Sequence, residues 1–366
     1  MQEFKNNRII ANWLYVGVVM IIVQVLLGGV TRLTGSGLSI TEWKPIMGAL
    51  PPLNEAEWII AFDKYKQIGQ YKFINADFTL SNFKFIFFWE WLHRNWARVI
   101  GLVFFIPFVV FIIKGMIPKK YIWHFVIIFF IGALQGLVGW IMVASGLNDD
   151  MLFVNYFKLA THFLTALLAL CVVYWYAMFF ADNSKEILLD KFDLNTINNN
   201  KPTIFYPINY KMYIGTLLAL LIVQLGYGAF MAGLKAAAAA PTWPSINGAF
   251  APDGMWGKSF YSHPINVHFV HRNLAYIITI LVLLFTISAA TIKNNTTWTK
   301  AIKWPMVFVV LQVILGISTV LLANHPARNA MGPFEWSAQF HQLIALFLLL
   351  SLVKLFYLVS HPNKST

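Results

Sequence analysis

A chain of 366 residues in which 58% are hydrophobic and 11% charged, with a mean hydropathy of +0.64, is built for lipid; soluble domains carry about 25% charged residues. Its formal charge of +12 is spread over short loops rather than gathered in a patch, which argues against nucleic acid and fits the positive-inside bias of a membrane protein. The single cysteine, Cys171, lies in an apolar run without a partner thiol, so it reads as a small buried residue.

The opening MQEFKNNRIIANW reads as a short basic start. It lacks the cleavage pattern of a secretory leader and the Arg- and Ser-rich character of an organelle leader. A bacterial plasma (inner) membrane is therefore the expected address. About 20 apolar residues are needed to cross the hydrocarbon. Eight such runs are predicted, at 13–30, 92–114, 122–144, 157–180, 212–232, 267–291, 303–323 and 337–358. Lys114, Lys119 and Lys120 flank the second connection, and Lys293, Lys300 and Lys303 the sixth. Segment 145–156 has no Lys or Arg, and 324–336 has only Arg328. Both termini and the lysine-rich loops are thus expected in the cytoplasm, with the long segments 31–91 and 233–266 outside.

The two halves repeat. QVLLGGVTRLTGSG from Gln24 resembles QLGYGAFMAGLKAA from Gln224, and EWLHRNWARVIG from Glu90 aligns with HFVHRNLAYIIT from His268. LQGLVGWIMVASGL from Leu134 aligns with LQVILGISTVLLAN from Leu311, and ATHFLTALLAL from Ala160 loosely with QFHQLIALFLL from Gln339. Four spans per repeat keep both halves in the same orientation, so a pseudo-twofold axis along the membrane normal is expected. The fold expected is an all-α polytopic membrane protein of two tandem four-helix bundles, 1–181 and 212–366. The polar, Asn-rich segment 182–211 would be a cytoplasmic linker.

Nine histidines are present. His124 and His361 at cytoplasmic span ends, and His263 and His325 beside prolines, read as interfacial or loop residues. His93, His162, His271 and His341 differ, because they fall at the outer ends of spans two, four, six and eight, at equivalent places in the two repeats. Two imidazoles from different helices at one depth can approach a haem iron from opposite faces. Zinc or a di-iron centre wants more ligands, and the E-x-x-H pair of di-iron bundles occurs only in the first half. Arg94 and Arg272, each directly after its histidine, are candidates for propionate binding or for snorkelling to the interface.

Three residues before the histidine, one turn back on the helix, the first half has Glu90 and the second His268. Two readings of Glu90 stand: proton transfer in oxidation chemistry, or an ion pair with Arg94 or Arg32. His268 is a rival to His271 as ligand, although the repeat alignment favours His271.

GGVTRLTGSGLSITEWKPIMGALPPL (Gly28 to Leu53), EWLHR (Glu90 to Arg94) and the four histidines in an eight-span, two-repeat frame resemble the haem A synthases over essentially the whole chain. The match is to the Gram-negative and mitochondrial type, without cysteine pairs in the outer loops. The resemblance implies oxidation of the C8 methyl of haem O to a formyl group, through two hydroxylations to a geminal diol that loses water. The product is haem A for cytochrome oxidase. It also implies that His93, His162 and Glu90 belong to the substrate side, and that His271 and His341 ligate a haem b cofactor. The implied partners are a haem O synthase as supplier, an electron donor, membrane lipid, and a second copy of the chain if it self-associates.

Two local features carry further expectations. The run GLKAAAAAPTWPSING departs from a varied outer loop, and the aromatic FKFIFFWEW is expected to lie along the interface as part of the long first loop, over the substrate haem. A di-haem b-type electron carrier is the alternative, but it gives Glu90 and TRLTGSGLS no task. A transporter would place polar groups nearer the midplane.

Overall fold

A computed structural model describes residues 2–45, 47–148, 151–184, 209–292 and 296–361. With no water in the hydrocarbon, backbone polar groups must be satisfied within each crossing segment, which selects helices. Eight helices are long and apolar enough to span a membrane. They are α1 (Gln2–Leu33), α2 (Leu80–Ile113), α3 (Lys119–Ala144), α4 (Tyr156–Asp182), α5 (Tyr210–Gly233), α6 (Pro264–Ala289), α7 (Lys303–Leu322) and α8 (Pro333–Ser360). No strand occurs among the described residues, only an isolated bridge between Ile246 and Ala249. Side chains such as Leu102, Ile113, Trp123 and Phe130 are exposed on the outer surface of the helices, where a bilayer supplies the apolar surroundings.

Helices α1 to α4 pack in a closed ring, each against the next and α4 back onto α1; α5 to α8 do the same. The seam between the rings is made by α1 with α8, α4 with α5, and α4 with α8. This pattern is unchanged when α1 is exchanged with α5 and α4 with α8. Across the seam, Gln339 and Gln342 of α8 donate to the carbonyls of Leu26 (3.1 Å) and Val25 (3.3 Å) on α1. Amide bonds of this kind are a common way to join helices in lipid, where apolar packing alone has little directional force. Most of the connection expected at 182–211, together with Lys293 and the last residues beyond 361, lies outside the described residues.

One expectation is corrected. FKFIFFWEW is not a loop lying along the interface; it lies within α2, which begins three residues earlier at Leu80. Thr79 and Asn82 cap it reciprocally. Its buried Phe83, Ile86 and Phe87 pack with Phe62 and Tyr65 of the short helix Glu55–Tyr65, and with Leu38 and Val143, in a second core separate from the main one. The alanine run forms the short helix Ala236–Ala239 after Lys235, whose φ is 51°. Ala236 and Ala240 are buried, so small side chains are what let this wall approach the bundle.

Candidate functional site

The odd-numbered helices share a spacing whose purpose shows only in three dimensions. Gln24 and Gly28 on α1, Gln135 and Gly139 on α3, Gln224 and Gly228 on α5, and Gln312 and Gly316 on α7 are each four apart, on one helix face. Every one of these glycines faces a histidine on a neighbouring even-numbered helix. A Cβ on Gly28 would stand 3.0 Å from His93 Cε1, and one on Gly139 2.9 Å from His162 Cε1. The distances are 3.3 Å for Gly228 and His271, and 3.0 Å for Gly316 and His341. Glycine is required because the ring lies where a methyl would stand.

The glutamine one turn earlier reaches the same histidine. Gln24 Nε2 is 3.2 Å from His93 Nδ1, Gln224 Nε2 is 3.5 Å from His271 Nε2, and Gln312 Nε2 is 3.2 Å from His341 Nε2. Gln24, Gln135 and Gln224 also donate to the backbone carbonyls of His93, His162 and His271, at 3.2, 3.1 and 3.0 Å. These glutamines were not singled out from the sequence. The signal was present, since the paired segments QVLLG and QLGYG, and QGLVG and QVILG, all follow Gln-x3-Gly.

The fold brings the four histidines together in two pairs. The rings of His271 and His341 are 6.4 Å apart between centres and inclined at 75°. His162 is near enough to His93 to interact with it electrostatically. His162, His271 and His341 each bury an Nδ1 that has no protein partner, and Gln24, Gln224 and Gln312 each bury an unpartnered Oε1. Buried polar atoms are ordinarily paired. Buried imidazoles brought together in pairs from different helices are the donor set of a six-coordinate haem iron, so the residues present fit that group. Among the described residues no cluster of three or more His, Cys, Asp and Glu side chains stands ready for a bare metal ion.

Glu90 and the arginines do something more specific than the sequence disclosed. Glu90 is 2% exposed and accepts three bonds, from Ser39 Oγ (2.7 Å), the Ile40 N–H (2.8 Å) and Arg94 Nη2 (2.5 Å). Arg94 also donates to the carbonyls of Ile40 (2.9 Å) and Glu42 (3.2 Å). Trp91 and Asn95 donate to Ala49 O, and Arg98 to Pro45 O and Lys44 O. One face of α2 therefore holds loop 34–54 through that loop's own carbonyls, as buried backbone groups require. Trp43 of this loop stacks on Trp140, the residue after Gly139, with ring centres 5.8 Å apart. Nearby, Lys64 and Lys44 hold the Glu42 carboxyl below its usual range.

The second half repeats the clamp without the acid. Arg272 is buried and donates to Thr242 O (2.7 Å), Pro244 O (3.0 Å) and Ser245 O (2.9 Å), and its Nη2 lies 2.9 Å from His268 Nε2. His268 thus occupies the place of Glu90 against the arginine, while His271 sits in the glycine cradle. Of the two partners considered for Glu90, Arg94 is the one used. Arg32, half-buried one turn beyond Gly28 on α1, makes no hydrogen bond or ion pair to a described residue, although the charge of Glu335 is felt there.

Residues 11–353 match the family model COX15-CtaA, described as cytochrome oxidase assembly protein. A protein named Heme A synthase from Rhodopseudomonas palustris (strain TIE-1) is 40% identical over 95% of this chain and 87% of its own length. Proteins of the same name from Sphingopyxis alaskensis and Brucella anthropi are 37% and 34% identical, over 93% and 88% of this chain and 88% and 86% of their own lengths. With imidazole pairs in both helical rings and a match that runs nearly end to end, the chain belongs to the COX15-CtaA family of cytochrome oxidase assembly proteins.

Proposed function

We propose that this protein is a haem A synthase that oxidises the C8 methyl of haem O to a formyl group, by two hydroxylations and loss of water from the geminal diol. The observation that carries the reading is the pair of glycine-cradled imidazoles in each helical ring, with an acid beside only one pair. His93 and His162 bind the substrate iron in the first ring; His271 and His341 hold haem b in the second. Haem b would supply one-electron chemistry there. The glycine cradles set the depth of each ring, and Gln24, Gln224 and Gln312 the direction of His93, His271 and His341.

Glu90 keeps loop 34–54 closed over the first pocket from within its pair with Arg94, and it is the acid positioned for proton transfer on that side. Arg94 and Arg272 direct most of their bonds to loop carbonyls, so they bear on a porphyrin through the walls they hold and through their remaining N–H groups. Arg32, on the Gln24–Gly28 face of α1, is the better counter-charge for a carboxylate entering the first pocket. The rings are two repeats about an axis along the membrane normal, joined through 182–211. The protein lies in a bacterial inner membrane with both termini cytoplasmic, which the lysines at the α2–α3 and α6–α7 connections support. Haem O from a haem O synthase is the substrate; electrons come from a separate donor.

Pigment extraction from the purified protein tests the assignment. Haem O or haem A alongside haem b is expected. Haem b alone, with none of the others after incubation with haem O, would replace the synthase with an electron carrier.

A further inference from the structure

Three of the four site glutamines reach the imidazole facing them, and Gln135 does not. It donates only to the His162 carbonyl, at 3.1 Å, while its Oε1 lies 3.2 Å from Thr165 Oγ1. That hydroxyl has one proton and three acceptors in reach, the other two being Thr161 O at 2.8 Å and His162 O at 3.1 Å. With that proton turned to Oε1, both ends of the Gln135 amide are engaged on α4, Nε2 by the His162 carbonyl and Oε1 by Thr165, and neither reaches the ring. His162 Nδ1 is buried and unpartnered, and no hydrogen bond to a described residue involves His162 Nε2. At the equivalent place in the second repeat stands Ile344, three residues after His341, with no hydroxyl to divert Gln312.

A ligating imidazole is normally fixed by a partner that sets its tautomer and direction, and loss of such a partner lowers metal affinity about 10–100-fold. His93, His271 and His341 have a glutamine amide at the ring whose Oε1 is uncommitted and can turn to accept the N–H of a ligating imidazole; the Oε1 of Gln135 is engaged by Thr165, and His162 has no such partner. We propose that His93 is the fixed ligand of the substrate iron and His162 the displaceable one, releasing the iron on its side when substrate enters and product leaves. The inference rests on the first ring being the substrate side. A cofactor retained through turnover is served by two held ligands, as in the second ring. A substrate that must arrive and depart is served by one that is held and one that lets go.

The test uses the full-length protein in detergent with its haem b, loaded with haem O and reduced. Carbon monoxide is expected to bind the haem O iron by displacing His162 and to leave haem b unchanged in the absorption spectrum. His162→Ala should keep haem O within about tenfold of wild-type affinity, whereas His93→Ala should weaken it by about 100-fold or more. Haem b content reports in each variant whether the fold is intact. Thr165→Val frees Gln135 to turn onto His162, and it should make carbon monoxide bind about 10–100-fold more weakly. Equal loss of haem O in both alanine variants, or refusal of carbon monoxide by wild-type protein, overturns the inference and leaves the synthase reading standing. Failure of the wild-type protein to take up haem O at all overturns both.

Discussion

Replacing Glu90 with histidine writes the clamp of the second half into the first, and so separates what the carboxylate holds from what it does. Glu90→Ala removes the acceptor for Ser39 Oγ, the Ile40 N–H and Arg94 together. The pair is mostly shielded, with side-chain exposures of 20% for Arg94 and 3% for Glu90, and breaking a buried pair costs about 3–5 kcal/mol. Arg94 keeps its bonds to Ile40 O and Glu42 O, which places the alanine variant near the lower end, about 3 kcal/mol. In Glu90→His the ring can accept from Arg94, as His268 does from Arg272 at 2.9 Å, and Ser39 Oγ still has Ile86 O within 3.4 Å. The Ile40 N–H is the group left without its acceptor, at about 1–3 kcal/mol. Thermal unfolding in detergent should therefore rank wild type above Glu90→His, and Glu90→His above Glu90→Ala, with haem b content unchanged. Conversion of haem O to haem A, followed by chromatography of extracted pigments, should fall about 10²–10⁴-fold in both variants if Glu90 moves a proton. A histidine variant that converts haem O at the wild-type rate would reduce Glu90 to a clamp. Equal destabilisation of the two variants would show that the clamps of the two halves are not equivalent.

Three other substitutions probe the rest of the site. Gly316→Ala sets a methyl 3.0 Å from His341 Cε1; it should cost about 1–3 kcal/mol as overpacking and deplete haem b in the absorption spectrum while haem O uptake persists. Arg32→Gln should weaken haem O uptake, measured by spectral titration, and leave haem b content unchanged, whereas Arg272→Gln should disturb the wall 242–245 and haem b instead. Arg328 binds both carboxylate oxygens of Asp77, joining the segment before α2 to the α7–α8 connection across the two halves. The Arg328 guanidinium holds the Asp77 carboxyl below its usual range, so this tie is present at neutral pH, persists as pH falls past the ordinary carboxylate range, and is lost when pH passes the lowered value. Asp77→Asn should raise hydrogen exchange across 324–336 at neutral pH, as high salt should in the wild-type protein; unchanged exchange in both would show that the tie does not order the loop.

The spans and the four ligand candidates were legible because both signals are one-dimensional. Apolar length identifies a crossing, and the repeat makes a matched histidine stand out from an incidental one. The start of α2 was not, because its first residues, LSNFKFIFFWE, mix charge with aromatics and are apolar enough only when Phe83, Ile86 and Phe87 meet Phe62 and Tyr65 from another helix. The arginines were half-legible. Position beside a histidine marked Arg94 and Arg272 as important, but their bonds go to carbonyls of loops 27 to 54 residues away in sequence, and backbone acceptors leave no compositional trace. Gln-x3-Gly was written four times and passed unnoticed, since glycine and glutamine in a membrane helix have many ordinary uses.

The differences between the halves converge on one pocket. Glu90 stands where the second half has His268, Thr165 where it has Ile344, and Arg32 where it has Ala232. Elsewhere in the site the halves agree: four glutamines, four glycines, four histidines, and an arginine clamp on the loop after the first helix of each half. A pair of retained cofactors would give no reason for the first pocket alone to have an acid, an unrestrained imidazole and an uncommitted cation. A pocket that receives a carboxylated porphyrin, changes it and releases it has a use for each. In a haem A synthase the cation would receive the carboxylate, the acid would handle the proton, and the loose imidazole would open the iron. None of the three is itself a glutamine or glycine of the Gln-x3-Gly pairs that set the geometry of the rings. The proposed division of labour between the halves would then be a matter of three side chains on a common scaffold, which makes the reciprocal exchange informative. Installing Glu, Thr and Arg at 268, 344 and 232 should loosen the second pocket's hold on haem b, seen as a new carbon monoxide adduct there, and unaltered haem b would mean that the asymmetry resides elsewhere in the fold.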